Sequence, residues 1–245
     1  MTHEFDRDYW DAHWQAASSA DGSIAVHPYL AAETASLVPG TALEAGCGEG
    51  AEALWLAAHG WTVTVVDLSS EALARAAVRA TDAHCSDRVT WVRADLGSWE
   101  PDGAFDLVTT HYAHAAGDQL DLYARLAGWV APGGTLLVVG HRAHDHEQRD
   151  PLGAAPQHDG RRPATEHRHD PAEPAEHHDH DHDHDHGARP TSATVTAQQV
   201  RERFERLGWS VVTAAEPART VEVDGGRRVS LHDVVIRAVR PSTLP

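Results

Sequence analysis

The stretch Glu44-Ala45-Gly46-Cys47-Gly48-Glu49-Gly50 alternates three glycines with other residues and sets an acid on either side of the first two. A glycine-rich bend that opens a helix presents backbone N–H groups and has no Cβ to hold a ligand away. A phosphate-cradling loop would end in G-K-[ST], whereas Gly50 is followed by Ala51-Glu52. A dinucleotide fold would space its glycines G-x-G-x-x-G, and carboxylates at Glu44 and Glu49 would repel a pyrophosphate. The acids suit a cationic, phosphate-free nucleoside instead. Glu49 has two readings, a contact to such a ligand or an acid favourable to the dipole of the helix it precedes. Cys47 reads as a small residue that fits the bend rather than as a nucleophile, although a helix N-terminus lowers the pKa of a thiol.

A second group of reactive side chains is imidazole. His111 and His114 lie in Thr110-His111-Tyr112-Ala113-His114, and His141 ends an apolar run from Thr135. Histidine changes charge near neutral pH, so each is a candidate to take a proton from a protic substrate. Trp10, Trp14 and Tyr29 either close over the same site or pack in the core.

These groups need a scaffold, and the pattern around them supplies one. Thr41 to Ala45, Thr62 to Val66, Val89 to Arg93, Phe105 to Thr110 and Thr135 to Gly140 read as strands. Helices beginning near Ala51, at Ser69 or Ser70 and at Gln119 alternate with them, the last running to Val130, with Pro132-Gly133-Gly134 as a turn before the fifth strand. Such alternation implies an α/β, doubly wound and mostly parallel sheet. The loops after the fourth and fifth strands then stand at the carboxyl edge of the sheet, where open folds bind ligands. Asp8 to Trp14 and His27 to Leu37 predict two short helices packed as a lid. Thr196 to Leu207 predicts a helix, and Trp209 to Ala214 and Leu231 to Val239 predict strands with Asp224-Gly225-Gly226 turning between them.

With the bend followed by Val63-Thr64-Val65-Val66-Asp67-Leu68, Ala94-Asp95-Leu96, Phe105-Asp106-Leu107-Val108 and Pro132-Gly133-Gly134-Thr135-Leu136, the chain resembles the class I S-adenosylmethionine-dependent methyltransferases. The likeness is good from Tyr29 to His141 and looser from Thr196 to Arg240, and the small-molecule branch, including tellurite-resistance and thiopurine enzymes, looks nearest. It implies a Rossmann-like sheet of seven strands whose antiparallel seventh, Leu231 to Val239, inserts between the fifth and sixth. It also implies that S-adenosylmethionine is held by Glu44, Gly46, Cys47, Gly48, Asp67, Leu68, Asp95, Leu96 and His111. In that family the acid at Asp67 binds both ribose hydroxyls, Leu68 flanks the adenine and Asp95 meets its amino group. His111, His114 and His141 are the candidate catalytic residues, and no metal is expected in the reaction. If the acceptor is a thiolate or chalcogen anion no base is required; if it is a hydroxyl or amine, one of these histidines takes the proton.

Domain organisation follows: a helical lid at 1–38, a cofactor-binding core at 39–141, a His/Asp-rich insertion at 142–190 expected to be disordered, a segment at 191–240 completing the core, and a tail at 241–245. The insertion centres on alternating histidine and aspartate from His177 to His186, chemistry that suits loose binding of divalent metal. A metal-handling protein on a methyltransferase-like fold is therefore the alternative function. The net charge of -17 argues against nucleic acid or anionic membrane as a partner. The two cysteines, Cys47 and Cys85, have no disulfide or zinc spacing, and the amino terminus lacks the features of an export signal, so a cytoplasmic location is expected.

Overall fold

Along each central strand apolar side chains alternate between two faces, and each face has its own helices. Leu43, Val108, Leu136 and Val138 point to one side, where they pack with Leu122, Tyr123, Leu126, Val200 and Phe204. Ala42, Val63, Val65, Leu107 and Leu137 point to the other, against Leu30, Ala53, Leu56, Leu73 and Ala80. This period of two along strands, answered by helical faces above and below, is what doubly wound sheets require.

The computed structural model describes residues 9–10, 13–14, 25–114, 117–143, 194–223 and 227–242. Its helices are α1 (Pro28–Thr34), α2 (Ala51–Ala58), α3 (Ser70–Asp82), α4 (Gln119–Gly128) and α5 (Ala197–Arg206). The strands are β1 (Thr41–Ala45), β2 (Thr62–Asp67), β3 (Val89–Arg93), β4 (Phe105–His111), β5 (Val130–His141), β6 (Ser210–Ala215), β7 (Ala218–Val223) and β8 (Arg227–Val239). They form an eight-stranded sheet in the order β3-β2-β1-β4-β5-β8-β6, with β7 paired to β8. The β1–β2, β1–β4, β2–β3 and β4–β5 ladders are parallel. β8 runs antiparallel between β5 and β6, the insertion expected of Leu231 to Val239.

Three helix starts are set by side chains, two of them, Ser69 and Thr196, at the residues the sequence offers as caps. Ser69 caps α3 by accepting from the Ala72 N–H, Asp118 caps α4 by accepting from Leu120 and Asp121, and Thr196 with Gln199 forms a capping box on α5.

Three expectations are corrected. α4 stops at Gly128, because Val130 already pairs with Phe105 as the start of β5. Pro132-Gly133-Gly134 is a bulge within β5 rather than a turn before it: the register jumps from Phe105↔Val130 to Leu107↔Thr135. The sheet has an eighth strand, β7, because β8 begins at Arg227, and its first half pairs with Ala218–Val223 before its second half enters the main sheet.

The residues 9–10 and 13–14 are helical, and α1 accounts for part of the segment read as the second lid helix. The His/Asp-rich insertion lies outside the described residues except for Arg142 and Ala143, as does the tail beyond Ser242. Among the described residues no helix is long and apolar enough to cross a membrane.

Candidate functional site

The carboxyl ends of β1, β2 and β4 meet at the glycine bend. Gly46 and Gly48 hold φ of 74° and 49°, the left-handed region that favours glycine. A Cβ on Gly46 would collide with the Ala113 side chain, and one on Gly48 would lie 3.1 Å from the Trp14 ring. The bend thus nests closely under the loop after β4 and under the N-terminal segment. Trp14 is tied there as well, since its carbonyl accepts from Arg75 Nη2 at 3.0 Å.

Asp67, the last residue of β2, fixes the bend from its neighbour strand. Its Oδ2 accepts from the Gly48 N–H at 2.9 Å and its Oδ1 from the Ser69 N–H at 2.9 Å. Burial raises its pKa, while backbone donors at Ser69, Gly48 and Leu68 oppose that shift. Each carboxylate oxygen can accept a further hydrogen bond, so the acid that shapes the loop remains able to receive two adjacent hydroxyls. Leu68 follows it and is half-buried, and its carbonyl accepts from Arg93. Asp95 is exposed two residues beyond β3, with Oδ1 accepting from Gly97 N–H at 2.8 Å. Leu96 is buried, and its side chain comes within 3.9 Å of the Cβ position of Gly46.

Glu49 is engaged elsewhere. Its carboxylate accepts from Arg75 at 3.1 Å and from Arg79 at 2.9 Å, both on α3, which favours the helix-associated reading over ligand contact. Cys47 is buried and burial pushes its thiol pKa far up, the opposite of an activated nucleophile.

Glu44 is the central electrostatic feature. It is 1% exposed on β1, and its Oε1 lies 3.2 Å from His111 Nδ1, while Oε2 has no hydrogen-bond partner and neither does His111 Nε2. Burial drives the Glu44 pKa well up and pulls that of His111 down to about 4, so for both groups burial favours the uncharged form. Glu52 of α2 adds a third polar atom within 4.8 Å of these two. Its Oε1 accepts from the His27 backbone N–H at 2.9 Å, and burial raises its pKa too. A cation of either kind there, metal ion or organic ammonium, favours the ionised carboxylates. The recess suits an organic ammonium, whose arrival would ionise Glu44 and satisfy its bare oxygen. Leaving such an atom unpaired costs about 1–3 kcal/mol.

The expected catalytic histidines are distributed rather than gathered on one point. His111 sits beside Glu44. His114 places Nδ1 3.0 Å from Gln119 Oε1, and Gln119 in turn donates to the Ala113 carbonyl. His114 and His141 stack with ring centroids 5.6 Å apart, and His141 lies 4.5 Å from the Tyr112 ring.

Tyr112 is the hub of a polar cluster. It holds a φ of 57°, pinned by its N–H donating to the Val139 carbonyl. Its hydroxyl donates to Asp233 Oδ1 at 2.7 Å, accepts from Arg219 Nη2 at 3.1 Å and lies 2.9 Å from His27 Nε2. Arg219 also donates from Nε to Asp233 Oδ2 at 2.7 Å. His27, Arg219 and Asp233 were not singled out in the sequence. Asp233 carried the one available signal, an acid directly before the apolar run Val234-Val235-Ile236, where it is 1% exposed.

Comparisons with known proteins agree with this geometry. Residues 42–134 match the family described as "Methyltransferase domain". An uncharacterized methyltransferase of Mycobacterium bovis is 39% identical over 99 residues, 40% of this chain and 48% of that protein. Probable thiol methyltransferase 2 of Arabidopsis thaliana is 27% identical over 135 residues, 53% of this chain and 60% of that protein. The chain thus spans about half the length of the curated relatives it matches. The solved structure of the glycopeptide N-methyltransferase MtfA complexed with S-adenosyl-L-methionine aligns with TM-score 0.50 and 26% identity over 86% of this chain and 91% of MtfA. Residues 42–134 are thus similar to a methyltransferase domain, and the sheet order is that of the Rossmann-like methyltransferase fold.

Proposed function

We propose that this chain methylates a small protic molecule with S-adenosylmethionine as donor. The observation that carries the reading is the bend itself: glycines in the left-handed region, braced by Asp67, beside a buried carboxyl with one unpartnered oxygen. Gly46, Cys47 and Gly48 offer the cofactor a close backbone edge, Asp67 its ribose acceptor, and Leu68, Asp95 and Leu96 the flank and edge of its adenine. Glu44, with His111 beside it, faces the amino-acid end. When bound, the cofactor supplies a methyl group on a positively charged sulfur.

The remaining work falls to positioning and exclusion of water. Trp14 over Gly48 and His27 bonded to Glu52 make the N-terminal segment a lid on that crevice. His114, His141 and Tyr112 border the acceptor side at the ends of β4 and β5. A small acceptor is supported by the thiol methyltransferase similarity and by the tightness with which aromatic rings surround Tyr112.

The test is incubation of the full chain with S-adenosylmethionine and a panel of small thiols, amines and phenols, read by mass spectrometry. A gain of one methyl on at least one class, with S-adenosylhomocysteine formed in equal amount, is the expected result. Absence of methylated product across the panel, with the chain folded and binding the cofactor, would refute the acceptor class.

A further inference from the structure

The reaction above leaves open where the acceptor's proton goes, and the expected histidines do not answer it well. His114 places Nδ1 on Gln119, and His111, whose Nε2 is buried without a partner, is committed through Nδ1 to Glu44 on the cofactor side. His27, directly before α1, is different. It is 9% exposed, and its Nδ1 is buried with no hydrogen-bond partner.

The state of that nitrogen follows from the bonds of the other. The Tyr112 hydroxyl has a single proton and lies 2.7 Å from Asp233 Oδ1, a carboxylate oxygen that can only accept. The proton therefore points at Asp233, and the phenol oxygen accepts from Arg219 Nη2. Its contact with His27 Nε2 at 2.9 Å must then be an Nε2–H donation to the phenol. A neutral imidazole that carries its hydrogen on Nε2 has a lone pair on Nδ1. That lone pair is the unpartnered atom. Its ring stands 5.9 Å, centroid to centroid, from His111, the residue that touches Glu44 beside the glycine bend.

Building on the methyltransferase reading, we propose that His27 accepts the acceptor's proton at Nδ1, and that Tyr112, Asp233 and Arg219 act as positioning residues by holding the imidazole in the tautomer that leaves this nitrogen bare. The acceptor's X–H bond breaks toward Nδ1, and the pair left on X forms the new bond to the methyl carbon. The pair of the breaking carbon–sulfur bond stays on sulfur. The acceptor class is thus protic and neutral in the ground state, an amine or an un-ionised thiol or hydroxyl, rather than a preformed anion.

The groups around His27 are consistent with a base that is uncharged before reaction. Tyr29 of α1, Glu52 of α2, His111 and Tyr112 at the end of β4, Arg219 of β7 and Asp233 of β8 all face it. Burial, His111 and Arg219 lower its pKa to about 4, against the pull of Asp233. The ring is therefore uncharged at neutral pH, with the Nδ1 lone pair available to accept a proton.

Two measurements test this. In the free full-length chain labelled with ¹⁵N-histidine, imidazole NMR at pH 7 should show His27 neutral with hydrogen on Nε2, and Tyr112→Phe should shift the signal toward a mixture of tautomers. A charged ring, or hydrogen on Nδ1, overturns the proposal without any turnover being needed. In parallel, His27→Gln is assayed with 2-mercaptoethanol, protonated at pH 7, and with thiophenol, largely ionised at pH 8. The variant should lose roughly 10²–10⁴-fold in kcat with the first thiol and little with the second. Equal losses with both, or no loss, overturn the assignment. S-adenosylhomocysteine titrated into wild type and variant should give the same affinity. Failure of wild type to bind it would sink the methyltransferase reading, whereas normal binding with the wrong tautomer sinks only the role of His27.

Discussion

The glycine bend and the Tyr112 cluster meet at His111, yet one is made by neighbours in sequence and the other by residues drawn from the length of the chain. Asp67 reaches Gly48 across 19 positions through a single strand–helix–strand unit. Tyr112 joins His27, Arg219 and Asp233 across 85, 107 and 121 positions. The first is mostly backbone, with φ values and N–H groups doing the shaping. The second is all side chain, and its geometry depends on β8 threading between β5 and β6 while β7 folds back onto it. The bend thus rests on a local unit, whereas the Tyr112 cluster rests on contacts between residues far apart in the sequence.

If the two halves are separable, damage to one should leave the other working. Asp233→Ala deletes the acceptor of both Tyr112 and Arg219 and leaves a partly buried cation unpaired. Its cost should be about 3 kcal/mol in unfolding free energy, toward the low end for a broken buried pair because Arg219 keeps some solvent contact. Denaturant unfolding measures it, and S-adenosylhomocysteine affinity of the folded variant should be unchanged. A tenfold or greater loss of that affinity would show that the halves are one unit.

Acid sharpens the comparison from the other direction. The pKa of His27 falls from 6.5 to about 4 on folding, so between those values the unfolded chain holds a proton that the folded chain does not. Stability from this group is therefore present above pH 6.5 and lost as pH falls toward 4, on the order of 3 kcal/mol in all. Unfolding curves of wild type and His27→Gln, followed across that window, should differ in slope in that sense. Parallel curves would mean that the ring is not buried neutral.

The smallest effect belongs to Glu49. Paired with Arg75 and Arg79 rather than aimed at the crevice, it should contribute at most about 1 kcal/mol to stability. Glu49→Gln should leave cofactor affinity within twofold by calorimetry; a larger drop would return Glu49 to the list of ligand contacts.

The contrast also explains what was legible in the sequence. Strand, glycine bend, helix and the acid at the next strand's end are adjacent or one unit apart, so residue type and spacing suffice to read them. The insertion of β8 between β5 and β6 came with the family resemblance. β7 escaped because Ala218–Val223 is short and pairs only with the front half of β8, a pairing made by the fold rather than by spacing in the sequence. Pro132-Gly133-Gly134 reads as a turn because a proline and two glycines suit both turns and bulges, and only the ladder to β4 decides between them. His27 and Arg219 carry no local pattern, and Asp233 only the weak one of an acid before an apolar run. Their common point is the Tyr112 hydroxyl, and nothing short of the folded sheet reveals it.

Calorimetric titration of S-adenosylhomocysteine into the full chain and into Asp67→Ala tests the central claim most directly. The account predicts one site per chain in the wild type and an affinity roughly 10–100-fold weaker in the variant, the scale of one or two hydrogen bonds to a charged acceptor. No binding heat in the wild type, or equal affinity in both proteins, would contradict it.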